Sequence, residues 1–150
     1  MTSIIRLLFI LLVLTRLMLI STIADEKQPY LTPRQTVLQW TQIYGVDMDR
    51  ASDFTTLEFR EGMTKKDWAS RYSEIIKAIG YKHMGGEVIA ELTEDTRSMI
   101  VMNSKIMTVA GGVDQVEIYE LLRIGGTWLI NNITVKEESE YGKSNLDKEI

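Results

Sequence analysis

The stretch Gln115 to Val135, QVEIYELLRIGGTWLINNITV, decides the fold. It divides at Gly125-Gly126 into two runs rich in β-branched and aromatic residues, with Trp128 near the start of the second. Two such runs joined by a glycine pair read as neighbouring strands. The predicted strands flanking that turn are Val113 to Ile124 and Thr127 to Glu137. Upstream, Tyr81 to Thr93 and Arg97 to Val109 read the same way, with turns at Glu94-Asp95-Thr96 and Ala110-Gly111-Gly112. Short connections favour an antiparallel meander. These runs exceed the usual strand of about five or six residues, so the sheet must twist and curl. Gly85-Gly86 inside the first run marks a bulge or bend. In the second run Met99, Val101, Met107 and Val109 share one face, and Ile100, Met102 and Ile106 the other. One face packs under helices and the other is free to meet a partner. Glu117 and Glu120 alternate with apolar neighbours and read as a solvated face.

Everything before the sheet that carries a pattern is helical. Thr32-Pro33-Arg34-Gln35 supplies an N-cap Thr, Pro at the first helical position and a Gln that closes a capping box. Val37, Leu38, Trp40, Thr41 and Tyr44 follow at helical spacing, and Gly45 ends the helix. Asp47 to Phe59 reads as a second short helix that stops near Thr55-Thr56, with Ala51, Phe54 and Leu57 inward. A third begins at Thr64, carries the stripe Trp68, Tyr72, Ile75, Ile76 and Ile79, and stops at Gly80.

The chain has 150 residues, which fits one domain plus a targeting segment. Met1 to Ala24 holds Arg6, the apolar core Leu7 to Thr15 and small residues at Thr22 and Ala24. It reads as a signal peptide, or else as an uncleaved membrane anchor. The expected boundaries are therefore 1–24 for that segment, 25–136 for the domain and 137–150 for a polar tail. The expected location is periplasmic or extracellular, with inner-membrane anchoring as the alternative. There is no cysteine, so disulfides, thiolate nucleophiles and Cys-ligated zinc are excluded. A net charge of −4 argues against a nucleic-acid partner. Loss of Arg6 and Arg16 with the leader would make the domain more acidic still.

Helices first, then a bent meander ending in a Gly-Gly-x-Trp-Leu-Ile strand, resembles the nuclear transport factor two-like superfamily, in its bacterial exported branch. The resemblance rests on Val37 to Tyr44, Asp49-Arg50-Ala51, Phe54-Thr55-Thr56, Phe59-Arg60, Trp68, Glu117 to Arg123 and Gly126 to Asn131. It covers about Thr32 to Lys136. It implies an α+β fold in which about three N-terminal helices pack on a strongly curved four-stranded antiparallel sheet (a cystatin-like cone), preceded by the hydrophobic segment. A cystatin-like arrangement in the narrow sense has one helix before its sheet, and a lipocalin-like barrel needs more strands. The superfamily's conical pocket serves isomerases, dehydratases, cyclases and non-catalytic binding domains, so the resemblance leaves function open.

The residues expected to line such a pocket are Trp40, Tyr44, Phe54, Trp68, Tyr72, His83, Tyr119 and Trp128. His83 is the one histidine; it reads as a bend or strand-surface residue, or else as a general base at the pocket rim. With no carboxylate at ligand spacing it suggests no metal, and no cofactor is implied. Trp40, Trp68 and Trp128 read as core anchors. No position matches an acid/base motif of the superfamily's enzymes, so no catalytic role is carried over. The reading is an exported non-catalytic domain that binds a small apolar ligand or a protein partner. The alternatives are a small isomerase, dehydratase or cyclase, and a membrane-anchored component of an envelope or secretion assembly. A homodimer through the sheet is compatible with each.

Overall fold

The computed structural model describes residues 30–137. Predicted features of 1–29 and of the tail beyond 137 lie outside the described residues. Helices α1 (Pro33–Ile43), α2 (Met48–Ser52) and α3 (Lys65–Ile79) precede strands β1 (Lys82–Thr93), β2 (Arg97–Thr108), β3 (Gly111–Ile124) and β4 (Thr127–Glu137). The strands form one sheet in the order β1-β2-β3-β4, each antiparallel to the next. The expected class, three helices packed on a four-stranded antiparallel sheet, is the observed one.

Local chemistry sets the helix ends. Thr32 Oγ accepts from the Gln35 N–H at 3.2 Å, while Gln35 Oε1 accepts from the Thr32 N–H at 2.9 Å, completing the capping box. Asp47 caps α2 through Arg50 N–H, and Thr64 caps α3 through Asp67 N–H. Gly80 ends α3 at φ +61, a left-handed conformation that favours glycine. Between α2 and α3 the chain runs along β4. The Ile130 N–H donates to Phe54 O and the Thr56 N–H to Ile130 O, so Thr55 forms one parallel rung on that edge. Arg60 pins the same connection: its buried guanidinium donates to Ser52 O, Thr55 O, Thr55 Oγ1 and Met63 O.

Register assigns the two sheet faces. Ile100 opposes Tyr119, which opposes Ile133, and this row points at the helices. Ser98, Met102 and Ser104 lie on that face of β2, and Gln115, Glu117 and Leu121 on that face of β3. The opposite face carries Leu92 opposite Met99, with Leu122 opposite Arg97 one pair further along. Two bulges shift β1: one between His83 and Gly86, at the predicted glycine pair, and one between Val88 and Ala90. A third sits between Glu120 and Leu121 against β4, where Asn131 is displaced and its side chain accepts from Thr56 Oγ at 2.8 Å.

The core lies between the inward sheet face and the helices. Val37, Trp40, Met48, Ala51, Trp68, Ala69 and Ile76 pack on Ile100, Met102, Tyr119, Leu121, Trp128 and Ile130. Three expected inward residues are corrected. Leu57, Ile75 and Ile79 are exposed. Leu57 follows the point where α2 has already ended, so helical spacing no longer governs it. On α3 only the line Trp68, Ala69 and Ile76 is buried, because the helix meets the core along one narrow strip.

Candidate functional site

The polar centre of the interior is Glu117. It stands on the inward face of β3 between Gln115 and Tyr119, and only 4 % of the residue is exposed. Ser104 Oγ donates to Oε2 at 2.6 Å and the Tyr119 hydroxyl to the same oxygen at 2.8 Å. His83 Nε2 lies 3.2 Å from Oε2, and Gln115 Nε2 donates to Oε1 at 2.9 Å. Burial raises the Glu117 carboxyl's pKa. The hydrogen bonds from His83, Ser104 and Tyr119, with the His83 charge, outweigh that and hold it below the ordinary carboxylate value. Tyr119 moves the other way: burial, then the negative charge of Glu117, pushes its hydroxyl far above the usual phenol range. Tyr81 is raised for the same two reasons, and Tyr44 is pushed up to about 12 by burial and then by Tyr72. The phenols therefore stay protonated while Glu117 stays ionised at neutral pH.

This arrangement corrects two readings of the sequence. Glu117 is not on a solvated face. Glu120 is exposed, and residues three apart on a strand point to opposite faces. The alternation that puts Tyr119 and Leu121 inward puts Glu117 inward as well, so the signal was present in the parity of positions. His83 is not a surface bend residue: its side chain is 3 % exposed and it has a carboxylate partner. That partner comes from β3, across β2, and depends on how the sheet curls. Among the described residues no group of three or more His, Cys, Asp or Glu is placed to hold a metal.

The remaining predicted site residues form the packing around this centre. Trp40 stacks on Tyr44 with centroids 4.3 Å apart and meets Phe59 and Tyr119 edge-on. Tyr44 touches Trp68 and Tyr81, while Trp68 touches Phe59 and Tyr72. Aromatic rings thus run through the space between α1, α3 and the sheet. Tyr72 reaches outward and donates its hydroxyl to Glu61 at 3.2 Å. Phe54 is half-buried against the core, and Trp128 is buried with Arg123 over its ring at 5.9 Å. His83 and Tyr119 meet at Glu117; Phe54 and Trp128 do not join that cluster.

Among the hollows of the described residues, one adjoins the polar centre and another lies on the outward face of the sheet. One, of about 330 Å³, is walled by Gly85, Gly86, Asn103, Ser104, Lys105, Asp114 and Gln115. It reaches two of the groups that bond Glu117 without reaching Glu117. The other is an open groove of about 450 Å³. Leu92, Met99 and Leu122, from the outward face, supply its apolar floor, and Arg97, Glu94, Glu120 and Glu58 its charged rim. A volume in this range suits a small ligand.

No protein-family model matches the chain, and no curated protein sequence matches it. Solved structures do. Bd1075 of Bdellovibrio bacteriovorus is similar with a TM-score of 0.57 and 15% identity, over 69% of this chain and 38% of that one. The chain thus spans well under half the length of that protein. A chain named Rd1NTF2_05 superposes with a TM-score of 0.50 and 17% identity, over 67% of this chain and 90% of that one. A Catenulispora acidiphila protein solved in complex with S-DNPA gives a TM-score of 0.51 and 13% identity, over 73% of this chain and 93% of that one. The fold is that of the nuclear transport factor two-like proteins.

Proposed function

We propose that this protein is an exported, non-catalytic binding domain whose outward groove takes a small apolar ligand or an apolar segment of a partner protein. The observation that carries the reading is the enclosure of Glu117. Three donors converge on its Oε2 and one on Oε1, and the residue is buried and walls neither hollow. His83 is also fully engaged, since its Nδ1 accepts from the Gly85 N–H at 3.2 Å. The histidine has no bare nitrogen left, and the lone pair that remains on Glu117 Oε1 is buried away from both hollows. The groove over Leu92, Met99 and Leu122, by contrast, is open. Export is argued from the N-terminal segment alone, and a mature chain beginning at Asp25 would support it over membrane anchoring.

The test is a ligand-observed NMR screen of small apolar molecules against the full chain and a Leu122→Glu variant. Leu122 is only half-buried, so the variant should fold. Hits that bind the parent and lose the variant are the expected result. Hits that bind both equally would remove the groove as the site. A second reading, a small isomerase, dehydratase or cyclase, is favoured by one feature: a buried acid in contact with a Tyr and a His. Hits that shift the Tyr119 and His83 signals instead of the Met99 methyl would put that reading first.

A further inference from the structure

The partners of His83 select one protonation state. Neutral imidazole has one N–H donor and one bare nitrogen acceptor. Here Nε2 faces the Glu117 carboxylate at 3.2 Å, and Nδ1 faces the Gly85 N–H at 3.2 Å. Only the neutral tautomer with its proton on Nε2 satisfies both. A second proton, on Nδ1, would strengthen the Glu117 contact and set two N–H groups against each other at Gly85. The weaker partner yields, because the carboxylate contact becomes charge-assisted.

Gly85 is free to yield. It lies inside the β1 bulge, where the pairing with β2 skips from His83 to Gly86. Its φ of +105 belongs to a glycine conformation, and no atom lies within 4 Å of the position a Cβ would take. Gly86 next to it is fixed, since a Cβ there would sit 2.3 Å from Asn103 O. The residues left out of the pairing are therefore Met84 and Gly85, and Gly85 walls the 330 Å³ hollow that reaches Ser104 and Gln115. We propose that protonation of His83 releases the Gly85 amide and reshapes the β1 bulge, making this a pH-sensitive latch on the hollow beside the Glu117 cluster.

The surrounding charges leave His83 as the group that switches. Glu117 faces it from β3, with Tyr119 on the same strand. Tyr81 lies just before β1 and Tyr44 caps the C-terminus of α1, and both interact electrostatically with this cluster. Lys105 from β2 and Asp114 from β3 stand on the wall of the hollow, and Lys82 adjoins on the outward face of β1. Burial keeps the Tyr44, Tyr81 and Tyr119 hydroxyls protonated, and its hydrogen bonds keep Glu117 ionised, at neutral pH.

The experiment is an NMR titration of the full-length, ¹⁵N-labelled chain between pH 8.5 and 4.5, which follows the His83 ring nitrogens and the Gly85 amide together. Above the transition the ring should show its proton on Nε2. Through it, the Gly85 amide should shift with the same midpoint, and its protection from exchange should fall about tenfold or more. In His83→Gln the Gly85 amide should be flat with pH. A Gly85 amide that ignores the ring's titration in the parent chain would overturn the latch. So would a ring that carries its high-pH proton on Nδ1. Both are read without any variant.

Discussion

Removing the Glu117 carboxylate tests whether the interior network is closed. Glu117→Ala strands three buried donors, since Ser104 and Tyr119 are 3 % and 0 % exposed and the His83 side chain is 3 % exposed. A buried donor left without a partner costs about 1–3 kcal/mol. Gln115 is only half-buried and can turn to water, so it is left out. Relaxation and entry of water reduce the total to about 3–5 kcal/mol. That is a large part of the roughly 5–15 kcal/mol that holds a domain together. With a urea m-value of about 2 kcal/mol/M, the unfolding midpoint should fall by about 2 M. Glu117→Gln should cost less, about 1–3 kcal/mol, because the amide oxygen can replace Oε2 and Gln115 can flip to receive the new NH₂. The pH dependence has a defined sign. The folded carboxyl titrates below 4.5, its ordinary value, so in acid the unfolded chain binds the extra proton first. Stability from Glu117 is complete above the unfolded value and is lost as pH falls through the folded one. The gap between the parent and Glu117→Gln should therefore narrow below about pH 4.5. The assay is urea denaturation followed by circular dichroism at pH 7 and at stepped acid pH. A Glu117→Ala midpoint within about 0.3 M of the parent would mean that the donors have other partners, and the argument from a closed Glu117 network would fail.

Gly86→Ala should destabilise by about 3 kcal/mol in the same assay, because its Cβ would meet Asn103 O at 2.3 Å and Met102 Cε at 2.7 Å. Gly85→Ala should cost only the strain of φ +105, about 1–2 kcal/mol, as nothing lies within 4 Å of its Cβ position. Arg60→Met should cost about 2–3 kcal/mol and speed proteolytic cutting between Ser52 and Met63, since the guanidinium donates to Ser52 O, Thr55 O and Met63 O. Equal cutting of parent and variant would show that the connection is held by its rungs on β4 alone.

Much of the fold was legible because its signals are local. The capping box at Thr32 and Gln35, the start of α3 at Thr64 and its stop at Gly80 each depend on residues within one helical turn. The bulge in β1 was legible from Gly85-Gly86, and so was the shared face of Ile100, Met102 and Ile106, though not that this face is the inward one. The width of a buried stripe was not. Ile75 and Ile79 share the α3 face with Ile76 by spacing, yet they are exposed, because only the neighbouring element decides how far around the helix contact extends. The candidate site was half legible. Parity alone assigns Glu117 to the face of Tyr119. The pairing with His83 was not legible, since His83 sits in the row of Ile106 and Val113, two inward positions along β3 from Glu117. Only a curled sheet with a shifted β1 closes that diagonal.

An acid inside a cone is not thereby a catalyst. What matters is whether its oxygens keep a lone pair that a substrate proton can reach. At Glu117 three donors converge on Oε2 and one on Oε1, and the histidine that could relay a proton is held at both nitrogens. Such a cluster fixes β1, β2 and β3 relative to one another at the point where the bulge would otherwise let them slip. The aromatic rings from Trp40 to Tyr72 fill the rest of the interior and stabilise it by burial. Packing the rings in this way strengthens the scaffold. The sheet's other face then becomes the surface with unsatisfied apolar area, at Leu92 and Met99 in adjacent register. The exposed apolar face and the ordered interior are two results of one alternation along β2 and β3.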